Sequence, residues 1–143
     1  MTYSLRKCTD ADEPFLRTLH RHCFHDMVVT QFGAWDAAVQ RTFVDRMLTQ
    51  ENLQIVVVDD REVGAVSRFR EGDHIRLNEL MIDPDFQGKG LGSAIVQQTI
   101  QQAESEGIPV RLQVLLANRA IALYSRLGFK EAGRTDTHVK MIR

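Results

Sequence analysis

Gln87-Gly88-Lys89-Gly90-Leu91-Gly92 is the stretch on which the reading of this chain turns. A strand-like run, Leu77-Asn78-Glu79-Leu80-Met81-Ile82, precedes it, and a helix-like run begins at Ser93-Ala94-Ile95-Val96. A glycine-rich turn from strand to helix exposes backbone N–H groups at the positive end of a helix dipole, which suits a phosphate. Two common phosphate motifs are excluded. No Gly-Lys-Ser/Thr stands four residues after a glycine, and G-x-G-x-x-G would need glycine where Ser93 or Ile95 stands.

Working outward, Asp83-Pro84-Asp85 stops a strand over residues 74–82. Upstream, Ile55–Val58 and Val63–Arg70 form two more strands, joined by polar turns at residues 59–62 and 71–73, so the three make an antiparallel meander. Downstream, Leu91, Ile95, Val96, Ile100 and Ala103 recur at helical spacing to about Glu106, where Gly107 and Pro109 end the helix. Residues 110–116 alternate as a strand, completing a parallel βαβ unit. Asn118 caps a short helix ended by Gly128, and residues 129–135 and 137–142 close the chain as a strand pair. Near the start, residues 3–7 read as a strand. Asp10 and Glu13 form a capping box with Pro14 in the first turn, and Phe15, Leu19 and Cys23 mark a helical face. Residues 26–34 read as a loop with apolar content, and Asp36 opens a second helix with Val39, Phe43 and Met47 on one face. The expectation is one α/β domain over residues 1–143, with a mixed, mostly antiparallel sheet flanked by helices.

Composition narrows the function. A formal net charge of −1 over 143 residues gives no broad attraction to nucleic acid or membrane. No apolar run is long enough for a span, and Met1–Lys7 lacks the apolar segment of a secretory signal, so a cytoplasmic location is expected. Cys8 and Cys23 suggest no disulfide framework and read as small buried hydrophobes.

The glycine turn resembles the central signature of the GCN5-related N-acetyltransferases (GNAT): Gln or Arg, two residues, Gly, one residue, then Gly or Ala. Gln87, Gly90 and Gly92 match it. Asn118-Arg119-Ala120 and Leu123-Tyr124-Ser125-Arg126-Leu127-Gly128-Phe129 resemble the family's second signature. The resemblance implies a GNAT-like sheet with a βαβ core that binds acetyl-CoA. The expected contacts are Met81, Ile82, Gln87, Gly88, Lys89, Gly90, Gly92, Ser93 and Asn118. Lys89 can equally be a solvated charge and Asn118 only a cap. Tyr124 is the expected acid for the leaving thiolate, against the bland alternative of a helix tyrosine with its hydroxyl at the surface. A backbone N–H near Met81 or Ile82 would serve the oxyanion.

Glu79 shares a strand face with Leu77 and Met81. A carboxyl among apolar neighbours is costly and acquires a raised pKa, so Glu79 is a candidate base, a substrate contact or a salt-bridge partner. The His20, His22, Cys23 and His25 cluster puts no three ligands on one helix face, so no metal is expected; Cys23 reads as core and the histidines as mostly exposed. Phe24, Met27, Phe32 and Trp35 are either acceptor pocket or core, and Asp136 either attracts an amine or makes a turn. The function expected is acetyl-CoA-dependent transfer of an acetyl group to a primary amine, first of a small molecule. A protein or peptide acceptor and a non-catalytic acyl-CoA sensor are the alternatives, and a homodimer is left open.

Overall fold

The computed structural model describes residues 2–143; Met1, the first residue of the expected domain, lies outside them. The strands follow the hydrogen-bonded order β1-β2-β3-β4-β5-β7-β6. They are β1 (Ser4–Lys7), β2 (Leu53–Val58), β3 (Arg61–Glu71), β4 (His74–Ile82), β5 (Val110–Leu115), β6 (Lys130–Arg134) and β7 (His138–Ile142). The helices are α1 (Glu13–Phe32), α2 (Ala37–Leu48), α3 (Leu91–Glu106) and α4 (Ala120–Arg126). β4 and β5 are parallel, with Ile75 opposite Val110 and Arg76 opposite Arg111, while β1–β2, β2–β3, β5–β7 and β6–β7 are antiparallel. This is the mixed α/β sheet expected from the sequence.

The chain forms two compact units. One comprises the residues up to Ser67 with Glu79–Leu91, and the other comprises Arg68–Asn78 with Gly92–Arg143. The first unit is built on a cluster of Leu16, Leu19, Met47, Leu53, Ile55, Ala65 and Met81, against which Phe15, Cys23 and Phe24 also pack. Removing a leucine such as Leu16 completely from water contributes about 1.5–3 kcal/mol. The β2–β3 connection uses two residues, Asp59 and Asp60, at φ 50° and 62°, a left-handed pair that matches strand twist and that short polar side chains tolerate. In the second unit Ile75, Leu77, Ile95, Val96, Val110, Leu112, Phe129, Val139 and Met141 are buried.

Several local expectations are corrected. The segment 26–34 is not a loop: α1 continues to Phe32 because Val28 is buried, and it stops at Gly33, whose φ of +85° makes the terminating turn and whose N–H reaches the Val29 carbonyl at 2.8 Å. The capping box lies one residue earlier than Asp10 and Glu13, at Thr9 and Asp12. The Thr9 N–H donates to the Asp12 carboxylate at 2.8 Å, and Arg6 forks onto the same carboxylate at 2.7 and 2.9 Å. Asp36 does cap α2, accepting from Ala38 and Val39 N–H. The buried face of α2 is Gln40, Val44 and Met47, however, and Val39 and Phe43 stand about half exposed, at 47% and 49%. One residue of helix is a rotation of about 100°, enough to exchange the two faces.

Candidate functional site

β4 ends where the Asp83 N–H donates to the Val63 carbonyl at 2.8 Å. The Asp83 side chain then accepts from the Asp85 N–H at 2.9 Å, and Pro84–Phe86 make a single tight helical turn. Gln87 follows, and its side-chain N–H donates back to the Ile82 carbonyl at 2.8 Å. The Cys23 thiol on α1 donates to the same carbonyl at 3.2 Å. One backbone oxygen thus ties the start of the glycine turn both to the strand end and to α1.

Gly88 and Gly90 then take φ of +76° and +82°, a region that costs L-residues roughly 1–2 kcal/mol. No atom lies within 4 Å of where a Cβ would sit on either glycine, so glycine is required there by conformation and the turn stands open. It leads directly into the 16-residue α3. The first N–H groups of a helix have no intrahelical partner, so an open left-handed glycine turn at this end presents donors to an anion. Lys89 is exposed within the turn, its ammonium 5.2 Å from the Phe86 ring centre.

Glu79 lies three residues before the end of β4, on the side of the strand that also carries the buried Met81. Its carboxylate forms no ion pair or hydrogen bond among the described residues. Burial alone pushes it up to about 7. The salt-bridge alternative is thereby removed, and the side chain can accept or hold a proton near neutrality. Met81 and Ile82 are buried.

In the second unit, the Asn118 side-chain oxygen accepts from the Ala120 N–H at 2.8 Å, so the expected cap exists at the start of α4. Tyr124, about one helical turn after Ala120, is 4% exposed and meets Phe129 edge-on at 5.5 Å. Burial pushes its phenol up to about 12, so it stays protonated at neutral pH. This overturns the bland picture of a hydroxyl left at the surface. Glu79, Met81, Ile82, Gln87, Gly88, Lys89 and Gly90 fall in the first unit, and Gly92, Ser93, Asn118 and Tyr124 in the second.

Other candidates resolve differently. His22 and His25 are exposed, but His20 is buried. It bonds Gln40 at 2.9 Å and stacks on Phe24 at 4.8 Å, and burial lowers its pKa, so it stays neutral. Cys8 and Cys23 are half-buried rather than buried. No group of three or more His, Cys, Asp and Glu residues among the described residues is placed to hold a metal ion. Phe32 is half exposed and outside the core, whereas Phe24 packs against it. Asp136 is exposed in a turn held by the His138 N–H donating to the Thr135 hydroxyl at 3.0 Å. Cys23, Arg61 and Phe86 were not anticipated around the glycine turn. Only Phe86, adjacent to the motif, left a signal in the sequence.

These features define an α/β protein with an open glycine turn at the head of a helix that follows an internal sheet strand. The acetyltransferase (GNAT) domain family matches residues 50–131, and the chain belongs to that family. A [Ribosomal protein bS18]-alanine N-acetyltransferase of Salmonella typhimurium is 42% identical over 83 residues, which cover 57% of this chain and 55% of that protein. The peptidyl-lysine N-acetyltransferase YjaB of the same organism is 27% identical over 132 residues, covering 92% of this chain and 75% of that protein. The chain thus spans about half the length of the first of these relatives. The crystal structure of the Thermoplasma acidophilum PaiA N-acetyltransferase in complex with coenzyme A shares the fold, with a TM-score of 0.78 at 16% identity, covering 100% of this chain and 99% of that one.

Proposed function

We propose that this chain transfers an acetyl group from acetyl-CoA to a primary amine by direct attack of the amine on the thioester. The observation that carries this reading is the glycine turn. Gly88 and Gly90 are left-handed, unobstructed and followed at once by α3, a donor set that fits a diphosphate. Family membership supplies the context.

The reaction forms a C–N bond, breaks the C–S bond, takes a proton from nitrogen and leaves a thiolate. Glu79, near 7, is assigned the nitrogen proton. Deprotonating an alkylammonium near 10.4 would be uphill for it by about 3 units, whereas the aminium formed after attack is far more acidic and gives its proton readily. Tyr124 is assigned the leaving sulfur. Full transfer from a phenol near 12 to a thiolate near 8.5 is uphill, so its hydroxyl serves as a hydrogen-bond donor to the developing charge, and solvent completes the protonation. A backbone N–H at Met81 or Ile82 is assigned the oxyanion, and Asn118 the pantetheine arm. An acyl-CoA sensor would need neither Glu79 nor Tyr124. A small-molecule amine is the first acceptor considered. The names of two relatives, one acting on a ribosomal-protein alanine and one on peptidyl-lysine, favour a second reading in which the amine belongs to a protein.

The test is isotopically labelled acetyl-CoA with the purified protein in cell extract, followed by mass spectrometry, with Tyr124→Phe in parallel. A labelled small amine that weakens in the variant supports the first reading. Label on protein amines supports the second. Absence of enzyme-dependent label despite acetyl-CoA binding shifts weight to the sensor or to an acceptor absent from that extract.

A further inference from the structure

Phe86 carries two cations. The Arg61 guanidinium stands 5.3 Å from its ring centre and the Lys89 ammonium 5.2 Å, both inside cation–π range. Arg61 opens β3 just after the Asp59-Asp60 turn, and Lys89 sits within the glycine turn, so two separate segments of the first unit converge on one ring. The ring itself is fixed by the turn Pro84–Phe86, with the Phe86 N–H donating to the Asp83 carbonyl at 2.8 Å. Neither cation forms an ion pair among the described residues, although Asp59, Asp60, Glu62 and Asp85 adjoin them in sequence. Glu62 turns instead to Arg6 at 3.3 Å. Two like charges gathered on one ring without a carboxylate repel each other, and an anion reverses that cost.

The geometry points to Arg61 and Lys89, held on Phe86, as the subsite for the 3′-phosphate of the CoA donor. This rests on the reading that acetyl-CoA is the donor. The diphosphate is served by backbone N–H groups of the glycine turn and α3, which leaves the two side-chain cations unspent. A phosphate monoester carries about −1.5 to −2 charge at pH 7, the match for two cations, and a guanidinium can grip two of its oxygens at once. Cations already positioned on an aromatic ring lose less side-chain freedom when the anion arrives. The subsite gives the protein a means to select intact CoA thioesters over 3′-dephospho analogues.

The deciding experiment is calorimetric titration of wild type, Arg61→Gln, Lys89→Gln and Phe86→Leu with CoA and with 3′-dephospho-CoA. The wild type is expected to prefer CoA at least tenfold. Arg61→Gln and Lys89→Gln should each cut that preference several-fold, and Phe86→Leu should cut it with both cations still present. A preference unchanged in Arg61→Gln, or equal weakening of both ligands, overturns the subsite. Failure of the wild type to bind either ligand is a different result, and it overturns the donor reading itself.

Discussion

Replacing Glu79 with Gln should make the protein more stable at high pH and leave it unchanged in this respect at low pH. The folded carboxyl titrates at about 7 against an ordinary 4.5, because its charged form is desolvated. Below pH 4.5 both folded and unfolded chains hold the proton, and there is no effect. Between 4.5 and 7 the unfolded chain releases it while the folded chain keeps it, so folding stability declines as pH rises. Above 7 the loss is complete and amounts to about 3 kcal/mol, a large share of the roughly 5–15 kcal/mol typical of a domain. The Glu79→Gln side chain cannot ionise, so this decline disappears. Urea unfolding of both proteins at pH 4 and pH 8 isolates the term, since every other titrating group cancels in the comparison. The variant should gain about 3 kcal/mol on the wild type between the two pH values. If the difference between the proteins is the same at both, Glu79 titrates as an ordinary surface glutamate and the burial argument fails. In the enzymatic assay the same group should give kcat/KM a rising limb near pH 7 that the variant lacks.

Tyr124→Phe should lower kcat by about a hundredfold or more with acetyl-CoA affinity nearly intact, read from steady-state kinetics beside calorimetry; wild-type turnover would remove the hydroxyl from the chemistry. Gly64→Ala should destabilise the fold by roughly 1–3 kcal/mol in urea melts, because its added methyl would collide with the Met81 carbonyl oxygen and press on Ile82. Asp12→Asn should cost about 2 kcal/mol at pH 7, since the Arg6 guanidinium holds the nearly buried Asp12 carboxyl down at about 2. This contribution exists above the ordinary aspartate range and vanishes as pH falls through 2, so the gap between wild type and variant should close in acid-unfolding curves.

The strands and α3 were legible because each is bounded by residues with a local reason to stop a chain, as Asp83-Pro84 does for β4 and Gly107 for α3. The glycine turn was legible because its conformation is one that favours glycine at Gly88 and Gly90. Glu79 was legible too, since a carboxyl alternating with Leu77 and Met81 announces its own desolvation. The continuation of α1 was not. Val28 and Val29 are β-branched and argue weakly against helix, and burial of Val28 overrode that preference. The buried face of α2 was not legible either, because Val39, Phe43 and Met47 and the buried set of Gln40, Val44 and Met47 both obey helical spacing. Cys23 was hidden for a different reason: its partner, Ile82, lies 59 residues away in sequence, and a contact of that range leaves no periodic trace.

The carbonyl of Ile82 that receives both Gln87 and Cys23 equips the protein with an intrinsic clock. While the turn is seated, burial pushes the Cys23 thiol up to about 12, so it is held as the unreactive thiol at pH 7. Release of α1 from the strand end returns the thiol toward an ordinary value and raises its alkylation rate by orders of magnitude. Slow modification of Cys23 by an alkylating reagent therefore counts opening events at the base of the glycine turn, without any label being engineered into the chain.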